Sequence, residues 1–217
     1  MTRAGGTWTA RDGGTTVYSG TNLLEAMRRA VGSLTPGRTS MQRVVVRGSG
    51  EINANQSLDL PSYTGLEVCG TITVVGTPTA DNAVVRARNV TDVDVLHLTV
   101  TGSPYFGVFV RNGTKHPSRP AGPAARRDRA RCSDRAQTGS NAILIENCTN
   151  VTIAARSGSL RDRDIRIAAR AEFPPSSNIT IQNLTVTNSA IIERPCGGGN
   201  NVFRNNTLVN SSLDVCR

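Results

Sequence analysis

One pattern recurs along this chain and restricts its fold more than any other feature: a short apolar strand, an Asn-containing turn, then a second alternating strand. It runs from Ala83 to Val95 about Asn89, and from Ala142 to Ile153 about Asn147 and Asn150. It returns from Asn178 to Asn188 about Asn183, and from Asn201 to Asn210 about Asn206. Burying about six apolar side chains per copy yields on the order of 10–15 kcal/mol. Ordering the roughly twenty residues that carry them costs at least as much in conformational entropy. A single copy is therefore unstable, and copies must stack on one another.

The expected fold is all-β, a solenoid of short strands in which each coil lies on the next. Coils begin at Arg43 to Gly48 and continue through Leu66 to Val75, Ala83 to Arg88 and Gly107 to Arg111. Val45, Val68, Val85 and Val108 are read as equivalent positions of successive coils. Asn suits the turns because it tolerates the left-handed conformation and can bond its own backbone. Thr21 to Gly32 reads as one amphipathic helix, with Leu23, Leu24, Met27, Ala30, Val31 and Leu34 on one face. Thr21 is its expected cap, Gly32 its stop, and its expected place is a lid over the open end of the stack. Four segments follow: 1–41 with the capping helix, 42–113 and 140–217 as coils, and 114–139 as an irregular basic insert. The insert, rich in Pro, Ala and Arg, reads either as a disordered loop or as the product of a shifted frame or mis-joined exon.

Coils of this length, Asn at the turns, a leading helix and N-x-Ser/Thr sequons throughout resemble the secreted, fungal-type right-handed parallel β-helix proteins of the pectin-lyase-like superfamily. The resemblance covers Gln42 to Gly113 and Asn141 to Asp214, and it rests on the repeat. It implies a lyase or glycoside hydrolase acting on an extracellular acidic polysaccharide, with Ca²⁺ as a cofactor only in the lyase case. The chain departs from that family where its chemistry is usually carried. It has no Asn-Thr-Asp, Asp-Asp or Gly-His-Gly run and no Arg-x-Pro-x-x-Arg run. A non-catalytic relative with a structural or adhesive role is the alternative.

The formal net charge of +9 invites a nucleic-acid reading, but its distribution argues otherwise. Seven basic residues (Lys115, Arg119, Arg126, Arg127, Arg129, Arg131 and Arg135) crowd the insert against Asp128 and Asp134, with no aromatic residue among them to stack a base. Such a block holds polyanions non-specifically, so no specific nucleic-acid partner is expected. No stretch has the length of a membrane-spanning helix, and a monomer is expected. The start, Met1 to Trp8, lacks an apolar leader core, which conflicts with nine sequons and suggests an incomplete N-terminus in an extracellular protein. Many of those sequons spell turn Asn followed by a strand, so they are architectural as much as acceptors. No CxxC spacing exists and neither His adjoins a Cys, so no metal site is expected. Cys196 and Cys216 lie about one coil apart, within disulfide reach on stacked strands.

The strongest catalytic candidates are Asp92, Asp94 and His97, read on an outward strand face beside Arg86 and Arg88 of the strand before. Paired carboxylates would serve as acid and base in hydrolysis; alternatively they would hold Ca²⁺ while an Arg takes a proton alpha to a uronate carboxylate in a lyase reaction. Tyr105 and Phe109, read as outward aromatics, are substrate-stacking candidates, with Arg111 to pair a uronate carboxylate. Alternating Asp and Arg are also what any solvated strand face carries.

Overall fold

In the computed structural model the described residues are 1–79, 82–114 and 141–216, without the side chains of residues 141 and 154–160. The basic block 115–135 and the remainder of the insert up to residue 140 lie outside them. Alternation of Val, Ile and Thr with polar residues sets the strands, because β-branched side chains pack well on a pleated surface. The protein is mostly β, with one helix and several parallel sheets, none closing into a barrel among the described residues.

The N-terminal part folds antiparallel, as β1 (Thr2–Ala4), β2 (Thr7–Asp12) and β3 (Thr15–Gly20). The helix α1 (Leu23–Gly32) follows, burying Leu23, Leu24, Ala26, Met27, Ala30 and Val31. Its cap is Asn22 rather than Thr21: the Asn22 side chain accepts from the Glu25 amide at 2.9 Å, a reach set by the extended backbone of Asn22. Gly32 is its last helical residue, as expected, and Ser33 is its C-cap. With Trp8 and Ala10, these residues join the main apolar core at its N-terminal end.

Strands then follow in a repeating order. One round supplies β4 (Gln42–Arg47), β5 (Gly50–Asn53) and β6 (Leu58–Asp59), and the next supplies β7 (Thr64–Cys69), β8 (Thr71–Val75) and β9 (Ala83–Arg88). The third supplies β10 (Val93–Leu96), β11 (Thr99–Gly102) and β12 (Phe106–Arg111). Beyond the insert come β13 (Asn141–Glu146), β14 (Thr152–Arg161), β15 (Asp164–Ala168), β16 (Thr180–Thr187), β17 (Ala190–Glu193), β18 (Val202–Arg204), β19 (Thr207–Val209) and β20 (Ser212–Asp214).

These form four sheets. Sheet A runs β10-β7-β4-β1-β2-β3 and sheet B runs β11-β8-β5. Sheet C runs β20-β17-β15-β13-β12-β9-β6, and sheet D holds β14, β16, β18 and β19. All pairings after β4 are parallel, so equivalent residues stack in columns. Sheet C is the longest. One of its columns, Val85, Val108, Ile143, Ile165, Ile191 and Leu213, is apolar throughout. Residues facing each other on neighbouring rungs are 22 to 29 positions apart in most places, and 35 across the insert. Sheet C and the bridges Thr91 to Thr114 to Thr149 to Ser177 pass directly over that insert, so the strands on its two sides belong to one stack. Val68 and Val85, read above as equivalent, lie instead on sheets A and C of the same round. The true partner of Val68 is Val46.

The turns explain the Asn pattern. Eight of the nine sequon asparagines, all but Asn55, have φ between +46° and +60°. Several bond to the same turn one rung away: Asn112 donates to Asn89 at 3.0 Å and Asn178 to Asn150 at 3.1 Å. Rungs also approach too closely for some side chains. At Gly102, φ +86°, an added Cβ would sit 2.1 Å from the Val74 carbonyl oxygen. At the C-terminal end Cys196 and Cys216 form a disulfide with Cα atoms 5.6 Å apart. Cys148 is a buried free thiol, which burial pushes up to about 11.

Candidate functional site

Sheet C places the site. Its alternation sends Val85, Ile145, Ile165 and Ile191 into the core and leaves a second set of columns for the other face. One of these columns holds Asp59, Arg86, Phe109, Leu144, Arg166, Ile192 and Asp214. The next holds Arg88, Arg111, Glu146 and Ala168. Between them opens a groove of roughly 340 Å³ lined by Tyr105, Phe106, Leu144, Glu146, Arg166, Ala168 and Ala169.

Its wall is built from stacked charges and rings. Phe109 is fully buried, with the Arg88 guanidinium 5.0 Å and the Arg111 guanidinium 4.8 Å from its ring centroid. Phe106 packs against it at 5.4 Å, and Tyr105 meets Phe106 edge-on at 4.7 Å. A ring face attracts each cation by about 0.5–2 kcal/mol, more as water is excluded. Glu146 then accepts from Arg111 Nε and Arg170 Nε, each at 2.6 Å. Burial by itself would raise the Glu146 pKa, but the hydrogen bonds and charges of Arg170 and Arg111 outweigh it and hold the carboxyl below its usual range. Arg166 and Arg170 are exposed beside it. The groove is therefore lined by Arg166 and by one committed carboxylate, Glu146, which Arg111 and Arg170 hold.

The sequence-derived candidates are divided by this arrangement. Arg88, Arg111 and Tyr105 come together here, and Tyr105 is 37 % exposed. Phe109 does not offer a stacking face: it is the platform beneath the two arginines, because its ring is sealed under their guanidinium groups. Arg86, two residues before Arg88 on β9, is instead held in a bidentate pair with Asp59, at 2.5 and 2.8 Å. That bond raises the already high pKa of Arg86. Asp94 belongs to β10, on sheet A, not on a face shared with Arg86 and Arg88. Asp92 and His97 are not strand residues at all. Both occupy the left-handed region, at φ +53° and +54°, and so turn the chain into and out of β10. The paired-carboxylate arrangement read from the sequence is thus replaced by turn residues around a strand of another sheet.

Phe106, Glu146, Arg166 and Arg170 were not singled out by the sequence. Glu146 and Arg166 do stand at alternating positions in Ala142-Ile-Leu-Ile-Glu146 and Asp164-Ile-Arg-Ile-Ala168, so their strand face was readable. Their neighbours were not, because the 35-residue step hides the pairing of β12 with β13.

Among the described residues no group of three His, Cys, Asp or Glu side chains could hold a metal. Nor is any described helix long and apolar enough to cross a membrane. The groove does not fit Ca²⁺, which takes six to eight oxygen ligands: its one carboxylate already accepts two guanidinium groups.

No family model and no curated protein matches this chain. Among solved structures it is similar to one described as a "putative glycosyl hydrolase" from Parabacteroides merdae. That likeness spans 87 % of this chain and 89 % of the other, at 12 % identity and a TM-score of 0.36. At that level it carries no argument about fold or activity.

Proposed function

We propose that this chain is a right-handed parallel β-helix of the pectin-lyase-like kind, acting outside the cell as a monomer that binds an acidic polysaccharide in the groove of sheet C. The observation that carries the reading is the groove itself: Arg166 and Glu146 line it, Arg111 and Arg170 bond to that carboxylate, and Tyr105 and Phe106 stand at the margin. Arg pairs a planar carboxylate through two parallel hydrogen bonds, and an exposed aromatic edge packs against a sugar ring. The regular columns of parallel strands support the β-helix, since each round of chain visits the same sheets in order.

Binding is favoured over cleavage. Hydrolysis by the common route needs two carboxylates flanking the scissile bond, and Glu146 is the single acidic side chain lining the described groove. The test is affinity electrophoresis and calorimetry with polygalacturonate, alginate and a neutral glucan, following ultraviolet absorbance and reducing ends for cleavage. The reading predicts retention by the acidic polymers, none by the glucan, and no product. Equal retention by glucan, or by none of the three, overturns it.

A further inference from the structure

Glu146 is an unexpected residue for a polyanion site, because its charge opposes the ligand. Its placement suggests why it is there. The side chain is only 9 % exposed, and its two oxygens are divided between the Nε groups of Arg111 and Arg170, which come from different strands and loops. Arg111 is further fixed from one face by the Phe109 ring. A guanidinium that gives its Nε–H to a carboxylate carries four further N–H donors on its two terminal nitrogens.

Resting on the groove reading, we propose that Glu146 is a positioning residue for the acidic ligand, holding Arg111 and Arg170 at one fixed separation and orientation so that their terminal nitrogens meet the ligand together. Two long side chains that would otherwise lose rotamer freedom on binding are ordered beforehand. Gln at this position does not replace it: one oxygen accepts from one arginine, while the amide NH₂ turns a donor toward the other.

The inference and simple electrostatics predict opposite signs. Removing a negative charge from a polyanion site tightens binding if only net charge matters. If Glu146 positions the arginines, Glu146→Gln weakens polygalacturonate binding by roughly three- to tenfold for each arginine released. It also lowers the salt dependence of binding by about one counterion per lost contact. The experiment measures polygalacturonate affinity at several salt concentrations for the wild type, Glu146→Gln and Glu146→Asp, with circular dichroism to verify folding. Glu146→Asp keeps the charge but shortens the reach, so it too weakens binding, and it carries the test if Glu146→Gln does not fold. Wild-type binding with equal or tighter binding by the variants overturns the positioning role and leaves the groove reading intact. No binding by the wild type removes the groove reading, and the positioning role falls with it.

Discussion

Ile191 and Ile192 are neighbours on β17 with the same side chain and opposite surroundings, which makes them a controlled test of the stacked core. Ile191 is fully buried and pairs with Ile165 on one side and Leu213 on the other. Ile192 is half-buried in the column of Arg166 and Asp214. Truncating either to Ala removes three carbons, about 2.4 kcal/mol at about 0.8 kcal/mol each if fully buried. A cavity that cannot collapse raises the Ile191→Ala cost to about 3–4 kcal/mol, within the range for such truncations. For Ile192→Ala about 1 kcal/mol or less is expected, since solvent fills the space and part of the side chain was already wet. In a chain of this size 1 kcal/mol shifts Tm by about 2–4 °C, so Ile191→Ala lowers it by about 6–16 °C and Ile192→Ala by a few degrees. Far-UV ellipticity reports all the strands, whereas the single Trp8, buried beside the helix, reports the N-terminal end. Both are needed because stacked repeats can unfold in segments. Equal shifts for the two variants, or a larger shift for Ile192→Ala, would refute the assignment of these faces.

Replacing Asn178, at φ +55°, by Ala loses its bond to Asn150 and leaves the left-handed region to a residue without the polar side chain that makes Asn tolerate it, lowering stability by about 1–2 kcal/mol in thermal melts; Asn178→Gly costs less. Changing Cys196 and Cys216 together to Ser removes a 20-residue cross-link worth about 3 kcal/mol. That loss lowers the far-UV midpoint while leaving the Trp8 transition in place. Glu146 has a folded pKa below its usual 4.5, so its pairing stabilises the protein fully above that value and ceases to do so as pH falls through the folded pKa. The Tm gap between wild type and Glu146→Gln therefore narrows on acidification below about 4.5. Asp92→Ala and Asp94→Ala leave polygalacturonate binding unchanged, because both residues belong to the turn and strand of sheet A rather than to the groove.

The strands were legible because their information is local. Alternation in Ala83 to Arg88 or Asp164 to Ala168 states which face is apolar, and Asn at a left-handed turn needs no distant partner to be recognised. What sequence spacing could not supply was register between rungs. Rounds of unequal length make Val68 and Val85 look like a repeat although they occupy different sheets, while the true pair, Val46 and Val68, is out of phase with that reading. The site suffered most from this. Arg111 and Glu146 sit side by side on strands 35 residues apart, and nothing in either segment names the other. Asp92 and His97 misled for a related reason: polar residues at positive φ end a strand, yet in the sequence they look like its outward face.

The account stands most directly on whether the sheet C groove is where an acidic polymer binds. The basic block 115–135 would also attract polyanions, so the decisive measurement leaves that block intact and compares polygalacturonate affinity of the wild type with that of Arg166→Ala/Arg170→Ala by calorimetry near physiological salt. The account predicts binding by the wild type and a loss of at least about tenfold in the double variant, about 1.4 kcal/mol or more, with the thermal melt preserved. Undiminished affinity in the double variant would contradict it.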